Sequence, residues 1–164
     1  MEQLAFPTGA SVYIDTQIII YTIEANPTYF NLLQPLWQQF QIGDLEIITS
    51  ELTLMETLVF PLRQGNLALV NDYQQLLENS EIQLIAVRRS ILKDAANLRA
   101  TTNLKTPDAI HAATALAENC TVFLSNDRAF RNVTNFGHKP STVLLCASNV
   151  RGCISLSGTC KCSQ

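Results

Sequence analysis

Short, largely apolar segments alternate along this chain with longer segments of helical periodicity, and this alternation limits the folds open to it. The apolar segments span residues 11–14, 45–49, 82–87, 121–124 and 142–145. Segments this short and apolar are typical of strands buried on both faces, which occur in parallel sheets covered by helices. The sequence therefore predicts an α/β fold, a three-layer α/β/α sandwich around a five-stranded parallel sheet.

The segments between these strands carry helix signals, and one of them is ambiguous. Residues 18–23 are rich in β-branched side chains and have strand propensity. A strand from residue 12 to 23 would be unusually long and would place Asp15 in its middle. We therefore predict a break at Asp15 and Thr16 and a helix to about residue 24. Further helices are predicted at 28–40, from Ser50 to about 61–65, and at 66–79, 90–101 and 106–116.

Length and composition indicate one globular domain. The chain has 164 residues, of which 47% are hydrophobic and 15% charged, which suits one full core. Periodicity disappears after Cys146, so we predict a domain over residues 1–146 and an irregular Cys/Ser/Gly-rich tail over 147–164. The N-terminus lacks the basic start and apolar core of a secretory signal, and no apolar run approaches a membrane span. We expect a cytoplasmic protein.

Cysteine usage and net charge exclude two kinds of protein. Five cysteines without a signal peptide do not indicate a disulfide framework, and Cys160 and Cys162 lack the two-residue gap of a usual zinc knuckle. A net charge of −3 argues against a broad, nonspecific nucleic-acid binder with a basic face. It does not exclude a nuclease whose acids hold divalent ions.

Two acids follow predicted strands directly, and two others lie on predicted helices. Asp15 ends the first strand and Asp127 follows the fourth. Ligands of open α/β sheets lie outside the carboxyl ends of the strands, so both acids are expected at that edge. Glu56 lies two turns into the helix after the second strand. Asp108 lies in the first turn of the helix that begins near Thr106, and it joins the others only if this helix starts at the same edge.

Each acid also has an ordinary structural interpretation. Asp15 is explained by a turn, Asp127 by a helix cap and Asp108 by the helix dipole, whereas the apolar neighbours of Glu56 argue against a plain exposed helix acid. The sequence contains no Gly-rich phosphate loop, no Cys–His or Ser–His pair at a strand end, and no basic cluster. Clustered carboxylates are the remaining candidate for a functional site. Hard divalent cations prefer such oxygen ligands.

The helix around Asp108 is the most distinctive stretch. Thr106 is a candidate cap, Pro107 suits the first helical position, and the negative charge of Asp108 is favoured in the first turn. Residues 109–116 are mostly alanine, so the helix can pack closely against its neighbours. His111 on this helix has no assigned role, and we expect a packing or surface residue.

Four segments together resemble a PIN domain and, within that superfamily, the VapC-like toxin ribonucleases. They are VYIDT at 12–16, Ser50 with Thr53 and Glu56, LKTPDAIHAATA at 104–115, and LSNDRAF at 124–130. They occur in the family's order and span about residues 10–146, and the third is the most specific. The tail after Cys146 has no counterpart in the family.

The resemblance implies a Mg²⁺- or Mn²⁺-dependent endoribonuclease, a hydrolase of RNA phosphodiester bonds. It also implies a homodimer and an antitoxin that occupies the active-site groove. Carried over residue by residue, it gives the metal-binding and catalytic acids as Asp15, Glu56, Asp108 and Asp127. Thr16 and Ser125 would support the site, with Asn126 as a weaker candidate. Nearest in sequence to these acids, and offered as guesses for RNA contacts, are Arg128, Arg99 and Lys105.

Two other functions remain open. A PIN fold that holds RNA or protein partners without turnover would bind no divalent ion at millimolar concentration. A receiver-like signalling domain is also α/β with strand-edge aspartates. It requires an acidic pair early in the chain and a lysine late at a strand end, and neither is evident here.

Overall fold

The computed structural model describes residues 4–133 and 141–144, with the side chains of 131, 132 and 141–144 excepted. The strands are β1 (Ala10–Ile14), β2 (Leu45–Ser50), β3 (Gln83–Ile85), β4 (Val122–Ser125) and β5 (Ser141–Leu144). The helices are α1 (Thr16–Ile23), α2 (Phe30–Gln41), α3 (Glu51–Gln64), α4 (Leu67–Glu78), α5 (Arg89–Thr101) and α6 (Thr106–Ala117). A short 3₁₀ helix spans Arg128–Asn132. The predicted tail, and every cysteine except Cys120, lie outside the described residues.

The five strands form one parallel sheet in the order β3-β2-β1-β4-β5. The chain builds β1, β2 and β3 toward one side and then crosses to place β4 on the other side of β1. The strand order therefore reverses between β1 and β4. In open α/β sheets, a crevice for ligands forms at the carboxyl ends of the two strands that flank such a reversal.

Alternate residues of the central strands enter two separate cores. Val12 and Ile14 of β1 pack with α1, α2 and α4, whereas Tyr13 between them packs with α5 and α6. Phe123 of β4 joins Tyr13 on the α5–α6 face. This two-residue alternation between two apolar faces confirms the predicted three-layer sandwich with a five-stranded parallel sheet.

The break after β1 is confirmed. Asp15 is the N-cap of α1, and its Oδ1 accepts the backbone N–H of Ile18 at 3.2 Å. Ile18 and Ile19 are fully buried on the helix. The cap and the core contact thus prevail over the strand propensity of this segment.

Two local predictions are wrong. Thr106 is the first residue of α6 and not its cap; Lys105 holds the cap position and makes no side-chain cap hydrogen bond. The third strand ends at Ile85 instead of residue 87. Ile85 pairs with Ser50, the last residue of β2. The residues after Ser50 belong to α3, so residues after Ile85 have no strand of β2 beside them.

The helices of the described region share one further property. None of them is long and apolar enough to cross a membrane.

Candidate active site at the carboxyl edge of the sheet

Asp15 is the most buried acid of the site, with 4% of its surface exposed. Ile14 of β1 lies beside Leu124 of β4, so the residues that follow, Asp15 and Ser125, are neighbours. The Ser125 hydroxyl donates to Asp15 Oδ2. Burial raises the pKa of Asp15 from 3.8 to about 6, although the hydrogen bond from Ser125 and the nearby His111 oppose the rise. The carboxyl group therefore holds a proton more readily than an ordinary aspartate.

Ser125 also connects Asp15 to Asp127. Its Oγ accepts the backbone N–H of Asp127 at 2.9 Å. The Asp127 side chain caps the 3₁₀ helix, and its Oδ1 accepts the N–H of Ala129 at 2.8 Å. The capping interpretation of Asp127 is thus confirmed, and its exposed carboxylate lies at the edge as well.

Asp108 lies at the same edge as the other acids. Its pKa is raised by partial burial, by the charge of Asp127 and, to a smaller extent, by the charge of Glu56, while His111 and a backbone hydrogen bond from Lys105 lower it. One turn further along the same helix, His111 Nε2 lies 3.0 Å from Glu56 Oε2 and 3.2 Å from Thr16 Oγ1, and Thr16 follows Asp15 at the end of β1. The N-terminal half of α6 therefore lies at the carboxyl ends of the strands, the condition that sequence spacing left open.

Glu56 of α3 is held by polar side chains from two other helices. His111 Nε2 of α6 lies 3.0 Å from Glu56 Oε2, and the Thr16 hydroxyl of α1 donates to the same oxygen. Burial alone would raise the pKa of Glu56, but the hydrogen bonds from His111 and Thr16 bring it below its usual value. Thr16, predicted to support the site, therefore contacts one of its acids, Glu56.

His111 is a correction to the sequence analysis. It is 3% exposed, so the expectation of a surface residue is wrong, and a packing role understates its polar contacts. Its Nδ1 lies 2.7 Å from the Tyr13 hydroxyl, and its Nε2 also lies 3.2 Å from Thr16 Oγ1. The available sequence signal was a histidine three residues after Asp108, on the same helix face, within an otherwise small and apolar stretch.

The apolar neighbours of Glu56 were misleading evidence. Met55 is 58% exposed and Val59 is 38% exposed, so neither draws Glu56 toward the core. Its partial burial arises instead from contacts with His111 and Thr16. Threonines continue this polar layer beneath the helix: Thr53 Oγ1 lies 2.8 Å from that of Thr49, which donates to the carbonyl of Ile14.

Asn126 hydrogen-bonds two tyrosines. Its Nδ2 donates to the hydroxyls of Tyr21 at 2.8 Å and Tyr29 at 3.1 Å. The two rings stack with centroids 4.2 Å apart. The contacts of Asn126 therefore order the loop after β4 against α1.

The three basic residues suggested for RNA contacts occupy different environments. Arg99 donates through Nε to the carbonyl of Leu104 at 3.2 Å, which holds the loop before α6. Lys105 is exposed at the start of α6, and Arg128 is exposed at the start of the 3₁₀ helix. Lys105 thus lies three residues before Asp108, and Arg128 lies directly after Asp127.

The donor set suits a hard divalent cation in its chemistry. It consists of carboxylate and hydroxyl oxygens. Burial raises the pKa of Asp15 and of Asp108, and the charges of Asp127 and Glu56 add to the rise at Asp108. The side chains are not gathered into a coordination sphere, since no group of three possible ligands stands close enough among the described residues. A bound ion would draw these carboxylates closer together.

A parallel sheet with acids at its switch point defines a class of α/β proteins, and comparison with known proteins identifies the family. Residues 12–135 match the PIN domain family. The chain belongs to the PIN domain family. A comparison with curated protein sequences found no match.

Solved structures with a similar fold include toxins and toxin–antitoxin complexes. VapBC2 from Rickettsia felis, bound to a DNA fragment from its promoter, aligns with TM-score 0.57 and 19% identity over 76% of this chain and 94% of that one. A toxin–antitoxin complex from Klebsiella pneumoniae aligns with TM-score 0.52 and 21% identity over 74% and 92%. VapC20 from Mycobacterium tuberculosis, a toxin that cleaves the sarcin-ricin loop, aligns with TM-score 0.63 and 14% identity over 79% and 99%. These likenesses confirm a VapC-like fold.

Proposed function

We propose that this chain is a divalent-metal-dependent endoribonuclease that acts in the cytoplasm as the toxin of a type II toxin–antitoxin pair. The observation that carries the proposal is that acids from four separate segments lie along the carboxyl edge of the sheet, at the β1–β4 switch point of a PIN domain. The similar fold of VapC20, a toxin that cleaves RNA in the sarcin-ricin loop, supports RNA as the substrate class.

In this proposal the four acids hold Mg²⁺ or Mn²⁺, and the hydroxyls position the acids. A divalent ion would supply an acidified water and charge stabilisation at the phosphate. Asp15 extends into the site from the end of β1, and the hydrogen bond from Ser125 orients it. Glu56 extends into the site from α3, and the hydrogen bonds from Thr16 and His111 orient it. Asp108 and Asp127 begin the two helical segments that open at the same edge.

The test is RNA cleavage by the wild-type protein and by Asp108→Asn, with Mg²⁺, with Mn²⁺ and with a chelator. We expect cleavage that requires the ion and falls by more than about 100-fold in the variant, because even residues that only support a metal ligand are worth about 10–100-fold. Asp94→Asn is the matched control, since Asp94 is an exposed acid on the neighbouring α5. Its activity should equal that of the wild type.

The stability of Asp108→Asn separates a metal ligand from a helix-dipole acid. Without metal, the variant should be as stable as the wild type or more stable, because a carboxylate repelled by Asp127 and Glu56 has been removed. If Asp108 served only the helix dipole, stability would fall by about 0.3–1 kcal/mol and cleavage would persist. Full cleavage by Asp108→Asn would overturn the site.

The alternative is a PIN fold that binds RNA or protein without turnover. A wild-type protein that binds RNA but neither cleaves it nor binds Mn²⁺ at millimolar concentration would favour this alternative. The intact set of four acids favours the enzyme.

We also propose that the protein forms a homodimer and pairs with an antitoxin. Two of the similar structures contain VapBC or toxin–antitoxin complexes. On α3 and α4 the chain exposes Met55, Phe60, Leu62 and Leu67, each more than half exposed, and exposed apolar groups of this kind are typical of interaction surfaces. Light scattering should give a dimer for the wild type and a monomer for Phe60→Glu. A small upstream gene for a DNA-binding protein would support the antitoxin.

A further inference from the structure

A chain of hydrogen bonds connects the middle of the sheet to Glu56, and His111 is its central member. The Tyr13 hydroxyl of β1 lies 2.7 Å from His111 Nδ1. On the other side of the ring, Nε2 lies 3.0 Å from Glu56 Oε2. Tyr13 and His111 are buried, whereas the Glu56 side chain is 25% exposed. This chain of hydrogen bonds therefore runs from the core outward and ends on an acid of the candidate active site.

The Glu56 carboxylate gives this series of hydrogen bonds a direction. A carboxylate only accepts, so the contact of 3.0 Å between Glu56 Oε2 and His111 Nε2 requires a proton on Nε2. In the imidazole tautomer that carries its proton on Nε2, Nδ1 is bare and accepts from the Tyr13 hydroxyl at 2.7 Å. Burial raises the pKa of the Tyr13 phenol well above its ordinary value, so this hydroxyl keeps the proton that it donates.

The base of the chain is rigid. The Tyr13 ring stacks on Phe123 of β4 with centroids 5.1 Å apart and an angle of 11° between the planes, and it meets the His111 ring edge-on at 5.9 Å. Both aromatic residues belong to central strands and are at most 1% exposed. The position of the imidazole is thus set by the sheet and not by α6 alone.

We propose that His111 is a positioning residue that orients the Glu56 carboxylate for divalent-cation binding. His111 and Thr16 both bond Oε2, and no hydrogen bond to Oε1 occurs within the described part of the chain. Oε1 is the oxygen left to act as a ligand. The inference rests on the proposed function, because it assigns His111 a role toward the same ion.

The surroundings of His111 favour this role over simple packing. Its neighbours on the buried side of α6 include Ala109, Ala112 and Ala113, where an apolar side chain would pack without any desolvation cost. Burying an imidazole costs free energy unless its nitrogens find partners, and both nitrogens here do. Since His111 lies three residues after Asp108, one face of α6 contributes one acid to the site and orients another.

The first test reads the tautomer directly in the metal-free protein. Nitrogen NMR of the histidine side chains at pH 8, with His111→Gln to assign the signal, should show a protonated Nε2 and a bare Nδ1. A protonated Nδ1 would reverse the chain of hydrogen bonds and overturn the inference. This readout depends on neither catalysis nor metal.

The second test measures Mn²⁺ affinity by calorimetry and RNA cleavage for His111→Leu and His111→Gln. The leucine variant should lose about 10–100-fold in Mn²⁺ affinity and kcat, the range for partners that orient metal ligands, with KM for RNA unchanged. Glutamine places an N–H donor near the position of Nε2 and should restore most of the loss. Thr114→Val is the control, because within the described residues the buried Thr114 hydroxyl bonds only the carbonyl of Ile110 on the same helix. This control should match the wild type.

The outcomes separate this inference from the proposed function. Wild-type affinity and kcat in His111→Leu would overturn the inference and leave the proposed function standing. A wild-type protein without Mn²⁺ binding or cleavage would overturn both. If His111→Leu does not fold, Tyr13→Phe decides, because it keeps the ring stack on Phe123 and removes only the hydroxyl. It should weaken Mn²⁺ binding several-fold, and unchanged binding would again overturn the inference.

Discussion

Asp15 and Glu56 occupy the same site, yet the protein shifts their pKa values in opposite directions. Both carboxylates lose solvent on folding, which raises the pKa of each. Asp15 receives its side-chain hydrogen bond from the neutral Ser125 hydroxyl, whereas Glu56 receives bonds from His111 and Thr16. The Ser125 hydroxyl, the backbone N–H of Ile18 and the nearby His111 do not offset the deep burial of Asp15, but an imidazole and a hydroxyl do offset the shallower burial of Glu56. Burial and partner together therefore decide which acid is ready to bind a cation.

The largest expected effect is on the pH dependence of stability through Asp15. Its pKa is about 6 when folded and near 3.8 otherwise, so the folded state gains a proton first as pH falls, and this group adds stability between about pH 7 and pH 4. Above pH 7 the buried charge destabilises the fold by about 2–3 kcal/mol. Chemical denaturation of metal-free Asp15→Asn should show it more stable than the wild type by up to this amount at pH 7.5, and equally stable below pH 4. A constant difference across that range would contradict the assignment.

The opposite sign is expected for Glu56. Glu56→Ala leaves the Nε2–H group of His111 and the Thr16 hydroxyl without their acceptor, which costs about 1–3 kcal/mol. Urea denaturation at pH 7.5 should therefore show a loss of stability, while the exposed control Asp94→Ala should change it little. If Glu56→Ala proved more stable than the wild type, Glu56 would be a charge destabilised by burial like Asp15, and the contrast between the two acids would be wrong.

A smaller effect sharpens the role of Ser125. In Ser125→Ala, Asp15 loses the hydrogen bond that lowers its pKa, so its pKa should rise above 6. Stability should fall by about 1 kcal/mol, because the backbone N–H of Asp127 also loses its acceptor. Carbon NMR of the aspartate carboxyl groups follows this titration, with Ser90→Ala on the surface of α5 as the control. An unchanged Asp15 titration would show that the hydroxyl plays no part in setting its pKa.

The sequence was a better guide to the fold than to the site. The parallel sheet, its layers and the break at Asp15 were predictable because they depend on local apolar patterns and a capping residue. The position of Asp108 was not, since it depends on where α5 and its loop return the chain relative to β4. Strand ends and helix positions singled out the four acids, and the resemblance to PIN domains assigned them to one metal site.

His111 and Tyr13 illustrate what the sequence pattern could not provide. They are 98 residues apart in sequence. They meet because the side chain of Tyr13 in β1 points to the face of the sheet on which α6 packs. A single histidine on an alanine-rich helix looks like a packing residue until its partners are known. The role proposed for Thr16 was anticipated, but its target, Glu56, became apparent only from the contact.

The central claim is that Asp15 and Glu56, despite their opposite pKa shifts, contribute to one cation site. The most direct test is calorimetric titration of the metal-free wild type and of Asp15→Asn with Mn²⁺ at pH 6.0 in buffers of different ionisation enthalpy. The wild type should bind Mn²⁺ and release about half a proton from Asp15, which is about half protonated at this pH and must ionise to act as a ligand. Asp15→Asn should bind far more weakly and release no such proton. Tight binding by Asp15→Asn, or no binding by the wild type, would contradict the account.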